Sequence, residues 1–230
     1  AFGDLRSWTG PAARLLAGRL AIQLGAPILG RRLHLLAYRE SPAYPEVIYY
    51  HARYRLERFG PLSCWQFMQQ HPDWSESSPE LRADWLALAG YVASRFRDFA
   101  RAERYFAEAD ALAADRAWIN VERSGMLEAE DRLDEALAAL RRSLELQPWF
   151  RPAVQAMAHL LLRQGKALAA LEFLQEAVEN LESGIIVAHL ATVQLELGYY
   201  KEARESLEHY AELSPLMEAE SAKWLAARRS

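Results

Sequence analysis

The sequence holds one cysteine, three lysines and two asparagines in 230 residues, and each scarcity removes a class of explanation. A single thiol, Cys64, excludes an intrachain disulfide and leaves the compartment open with a lean to a reducing one, so a cytoplasmic location is the expectation. No apolar run reaches the roughly 20 residues that cross a bilayer, and the first residues lack a signal-peptide layout. The 11 glycines never fall into GxGxxG or GxxxxGK, so no phosphate loop is present. His34, His51, His71, His159, His189 and His209 never stand three or four residues apart, and HExxH is missing, so neither metal nor cofactor is expected. Cys64 would be a nucleophile only with a histidine brought to it in space; beside Trp65 on a helix it reads as a packed, inert thiol. Period-two runs of β-branched residues do not occur, which removes a sheet as the framework.

Charge is nearly balanced. The formal net of −4, from 27 basic and 31 acidic residues, indicates neither nucleic acid nor membrane. Its distribution is uneven: residues 1–60 carry nine arginines against four acids, net +5, which leaves −9 in 61–230.

What the chain does contain is a helical period. Residues 117–150 read as two amphipathic helices, the second marked by Leu133, Ala136, Leu137, Leu140 and Leu144 at three- and four-residue steps and stopped at Pro148. One such hairpin cannot bury its apolar faces alone, so copies must stack. The same frame fits repeats at 11–45, 46–82, 83–116, 117–150, 151–183 and 184–217, after a lead-in of 1–10 and before the start of a seventh at 218–230. The eighth place is small in Gly18, Gly90, Ser124, Ala158 and Ala191. So is the twentieth in Gly30, Ala102, Ala136, Ala170 and Ala203, and the twenty-seventh in Ala37, Ala109, Ser143 and Ala177. The second repeat departs, with Arg53 at the eighth place, Trp65 at the twentieth and a short second helix near 62–70, so distorted packing is expected there. Tyr210 stands where alanine is usual in the sixth.

Small residues at helix contacts with a terminal proline in a 34-residue period resemble the tetratricopeptide repeat over nearly the whole chain. The resemblance implies an all-α, right-handed superhelical α-solenoid without chemistry of its own, whose first helices line a concave groove for a polypeptide segment. By that family's register the groove receives Arg19 and Gln23, then Tyr50, Tyr54, Glu57 and Arg58, then Tyr91, Ser94 and Arg95. Trp118 and Glu128, then Gln155, His159 and Arg163, then Thr192 and Glu196 follow. Tyr54 and Tyr91 share one place in successive repeats, as do Arg58, Arg95 and, two repeats on, Arg163; aromatic faces beside guanidinium groups suit an acidic, extended peptide. The bland alternative is that the tyrosines pack and the arginines pair with Glu57 or Glu128. A clamp for a C-terminal carboxylate needs lysine and asparagine on first helices, and Asn120 and Asn180 do not fall there. Stacking of single-stranded nucleic acid would use the same tyrosines, but Glu57, Glu128, Glu196 and the acidic balance argue against it.

GRLAIQLGAP, YHARYRLERFGPL, YVASRFRDFARAERYF and ELSPLMEAESAKWLAARRS are further similar to the N-terminal part of large bacterial tetratricopeptide-repeat proteins, some with a following cysteine-peptidase-like domain. None of that domain is present. The resemblance implies a recognition or scaffolding arm whose partner is another protein or another domain of the same full-length chain. The chain stops within helix-forming sequence without a polar cap, so it is expected to continue, and end faces near Trp8 and Trp224 are expected to be open to pairing between copies.

Overall fold

A computed structural model describes residues 3–72, 74, 77–219 and 221. After a 3-10 turn at Leu5–Ser7 the chain forms α1 (Pro11–Gln23), α2 (Pro27–Glu40), α3 (Pro45–Phe59), α4 (Pro61–Gln69), α5 (Pro79–Arg95) and α6 (Phe99–Ala113). It continues through α7 (Ala117–Ala129), α8 (Leu133–Leu146), α9 (Arg151–Arg163), α10 (Ala167–Asn180), α11 (Gly184–Glu196) and α12 (Tyr200–Leu213). No strand occurs among the described residues. The start of a seventh repeat lies for the most part outside the described residues, and so does Trp224.

Local chemistry explains the helix ends. Prolines open α1, α2, α3, α4 and α5, where the missing N–H has no partner to lose. The turn inside each helix pair places one residue in the left-handed region: Gly25, Gly60, Arg97, Asp131, Gly165 and Gly198, at intervals of 33 to 37 residues. The following N–H then folds back onto the helix, as from Asp98 to Ala93 O at 3.1 Å, Arg132 to Leu127 O at 2.9 Å and Lys166 to Leu161 O at 2.9 Å. α5 starts at Pro79, four residues ahead of the frame placed at 83. The reason is Ser78, whose Oγ accepts from Leu81 N–H at 3.3 Å and caps a helix that proline then opens.

The chain forms two compact bodies, a terminal one of residues 1–51 with 181–230 and a central one of 52–180. In the central body α5, α7 and α9 pack in series and α6, α8 and α10 each pair with the helix before them. Phe106, Ile119, Met126, Leu140 and Leu160 are its buried centre, and Phe106→Ala would cost roughly 3–5 kcal/mol. The small residues at the eighth, twentieth and twenty-seventh places are all buried, in both bodies. Close approach requires them: a Cβ on Gly30 would lie 2.6 Å from Gly18 O, and the Ser143 hydroxyl donates to Ala117 O at 2.8 Å.

A stacked solenoid is expected to make contacts between successive repeats alone. The terminal body departs from that. Leu216 N–H donates to Leu24 O at 2.9 Å, and Gly25, at φ +86°, lies so close to Ser214 that a Cβ would meet its Cβ at 2.8 Å. Leu216 packs, with Trp8, against the cluster of Leu5, Ala17, Ala21, Ala26 and Leu33. The connection after the sixth repeat thus covers the interhelical turn of the first. Tyr210 is accommodated by Gly184, where a Cβ would stand 3.3 Å from the tyrosine ring.

Candidate peptide-binding face

In the central body the side chains projecting from α3, α5, α7 and α9 fall into three groups. The first is a buried charge network. Glu122, buried on α7, is ion-paired with Arg53 of α3, and the Arg53 guanidinium lies 4.5 Å over the Trp118 ring. Asp84 of α5 accepts from Arg116, with Nε to Oδ1 at 3.2 Å. Burial pushes both carboxyls above the ordinary range, Glu122 and Asp84 alike, while the guanidinium partners oppose that shift. Trp118 meets Phe150 edge-on at 6.2 Å, and its buried Nε1 has no hydrogen-bond partner among the described residues.

The second group is a neutralised end. Glu128 Oε1 receives His159 Nε2 and Arg163 Nη1, each at 2.9 Å, and Arg163 also stands 3.8 Å from Asp131. Burial acts to raise the Glu128 carboxyl, but the hydrogen bonds from Arg163 and His159 outweigh it and hold the group below the usual carboxylate range.

The third group carries open charge. Arg58, next to last in α3, and Arg95, last in α5, are exposed and have no ion pair among the described residues. Both sit where a helix C-terminus favours a cation. Tyr54 is half-buried, edge-on to Phe59 at 5.9 Å, and Arg58 lies 6.0 Å from the same ring. Tyr91 is half-buried over Gly125, whose absent side chain makes the space: a Cβ there would lie 2.6 Å from the ring. Burial raises the Tyr91 hydroxyl, the Glu122 charge adds to the rise, and the nearby Arg95 charge opposes it.

Eleven of the sixteen residues expected in the groove therefore lie in the central body, Gln155 among them, half-buried on α9. Arg19 and Tyr50 lie in the terminal body. Arg19 is exposed on α1, whereas Tyr50 packs against the cluster of Leu15, Ala37 and Val47, 5.2 Å from the His34 ring and 5.5 Å from that of Tyr49. Sequence reasoning missed Glu122, Asp84 and Arg116. The one signal was Arg53 itself, a long charged residue at a place that is small elsewhere. Cys64 is fully buried with its thiol pushed up to about 12, first by burial, so it is protonated and unreactive at neutral pH. Among the described residues no cluster of three metal-ligating side chains occurs, and no helix is long and apolar enough to cross a membrane.

Paired helices with a left-handed turn at each hairpin and small residues at each crossing define a helical-repeat solenoid. The tetratricopeptide-repeat family matches residues 186–215, which is the sixth pair, α11 and α12. Two solved structures share the arrangement. PilF of Pseudomonas aeruginosa superposes with a TM-score of 0.53 at 18% identity, over 80% of this chain and 86% of that one. Yeast Tom70 superposes with a TM-score of 0.58 at 16% identity, over 96% of this chain and 46% of its own. No curated protein sequence matches. The chain has a helical-repeat fold similar to these two structures, and its sixth helix pair matches the tetratricopeptide-repeat model.

Proposed function

We propose that the protein is a non-catalytic scaffold that holds an extended, acidic polypeptide segment on the first-helix face of its central body. The observation that carries this reading is the contrast along that face. Arg58 and Arg95 are exposed and without an ion pair among the described residues beside the rings of Tyr54 and Tyr91, whereas Arg163 and His159 are already held by Glu128. Carboxylates of a ligand would gain charge-assisted hydrogen bonds at the first pair and compete with an existing bridge at the second. Trp118 of α7 and Gln155 of α9 would contact the chain of the ligand. Arg19 is an exposed cation of the terminal body, apart from this face, and Tyr50 packs within that body. The ligand is a segment of another protein or of a further domain of the full-length chain.

A fluorescein-labelled, Asp-rich extended peptide tests the reading by anisotropy. Saturable binding is expected, weakened by salt, with a loss of roughly tenfold or more in the Arg58→Glu, Arg95→Glu double variant. The helical circular dichroism should be unchanged, since both residues are exposed. Equal binding by the double variant would overturn the assignment to this face.

A further inference from the structure

On the other side of α5, between α4 and α6, the central body contains a cavity of about 450 Å³, within the range of sites that take organic ligands or peptide segments. It exists because α4 stops after 9 residues while α6 runs for 15, so the last turns that would fill the space beside α5 are missing. Its floor is fixed. Trp74 stacks on Trp85 with centroids 4.0 Å apart, and the Trp74 indole N–H donates to His71 O at 2.8 Å. His71 packs on Phe67 at 4.6 Å, and burial lowers its pKa, so it adds no charge at neutral pH.

The walls have a particular chemistry. Rings of Trp65, Trp85 and Tyr105 face a space that Gln69, Arg82 and Glu108 also border. Among the described residues none of these six side chains has a hydrogen-bond partner within the protein. Donors dominate: two indole N–H groups, the Tyr105 hydroxyl, the Gln69 amide and the Arg82 guanidinium, against the Glu108 carboxylate and the Gln69 oxygen as dedicated acceptors. The Arg82 and Glu108 charges cancel, which selects neither an anion nor a cation. An ordinary extended peptide brings as many backbone donors as acceptors. A proline-rich one brings carbonyl acceptors without N–H groups, is held in the polyproline II form before it binds, and offers flat ring faces to aromatic walls.

The geometry points to a second binding site, for a proline-rich segment of another polypeptide, in the cavity between α4, α5 and α6. It is independent of the acidic-peptide face, since its residues project from the opposite side of α5 and from α4 and α6. The binding groups are Trp65 and Tyr105 as walls and Gln69 and Arg82 as donors to proline carbonyls.

The experiment uses the full chain, an oligoproline peptide and the intrinsic tryptophan fluorescence, with an alanine–serine peptide of equal length as control. Oligoproline is expected to bind saturably and the control not to. Trp65→Phe with Gln69→Glu keeps the ring and the helix but removes two donors, and should weaken binding at least tenfold at an unchanged thermal midpoint. The Arg58→Glu, Arg95→Glu variant should bind oligoproline as the natural chain does, which separates this site from the other. Absence of saturable oligoproline binding, equal binding of the control, or loss of binding in the arginine variant alone would each overturn the proposal. Failure of the acidic peptide to bind would leave it standing.

Discussion

Arg53 and Glu122 form an ion pair from α3 to α7, with the arginine side chain 22% exposed and the glutamate 5%. The arginine occupies the place that Gly90, Ser124, Ala158 and Ala191 fill elsewhere, so it cannot sit between two helices and reaches out to a buried carboxylate instead. Arg53→Met strands that carboxylate and should cost roughly 3–5 kcal/mol, while Arg53→Met with Glu122→Leu should return close to the natural stability. The sign with pH follows from the raised carboxyl of Glu122. Its contribution is greatest below the ordinary carboxylate pKa and is lost as pH rises toward the folded value, so the single variant's deficit should shrink on acidification. Urea midpoints at about pH 4 and about pH 8 measure both effects. A single variant as stable as the natural chain would refute the role of the pair.

Glu128 predicts the opposite pH behaviour. Its carboxyl is held low by Arg163 and His159, so its contribution is present above the ordinary carboxylate pKa and disappears as pH falls through the lowered folded value. Glu128→Gln should therefore be less stable than the natural chain at neutral pH and converge with it in acid. Parallel melting curves at all pH values would contradict this.

Arg97 sits at φ +62°, in a turn position that Gly25, Gly165 and Gly198 occupy in other repeats. Relief of the left-handed strain should outweigh the entropy that glycine gains in the unfolded chain, so Arg97→Gly should stabilise the protein by about 1 kcal/mol. Calorimetry decides the matter, and a lowered midpoint would show that the Arg97 contact with the Phe99 ring, 5.4 Å away, is worth more than the strain.

Leu216 joins the last connection to the first repeat. Leu216→Asp places a charge in the cluster of Leu5, Ala17 and Ala26 and should cost on the order of 2–3 kcal/mol, confined to the terminal body. Amide exchange should quicken in 11–40 and 184–213 and stay slow at Phe106, Ile119 and Leu140. Uniform quickening, or none, would mean that the closure does not act as a local unit.

The helices were legible because their determinants are local. Pro11, Pro27, Pro45 and Pro61 open helices, glycines close them, and the 34-residue interval brings Gly30, Ala102, Ala136 and Ala170 to equivalent crossings. Where local signals were ambiguous the reading slipped: Ser78-Pro79-Glu80 is a helix start that the repeat frame hid. The candidate face was legible in position but not in state. Tyr54 and Tyr91 share a place in the repeat, yet the sequence alone does not reveal that Tyr91 fills the gap above Gly125. The tryptophan-lined cavity left only two traces, an odd Trp65 and a short helix.

By itself, then, the amino-acid order determined that the chain is helical, that its helices pair, and where small residues let them touch, since each depends on residues within one hairpin. Tertiary structure alone decided which charges remain available. Arg53, Arg58, Arg95 and Arg163 look alike in sequence, but two are consumed by Glu122 and Glu128 and two are open. It also decided that Leu216 meets Leu24. The physical reason is the same in both cases: an ion pair or a docked leucine depends on where a distant partner arrives, and Arg53 is 69 residues from the carboxylate that holds it.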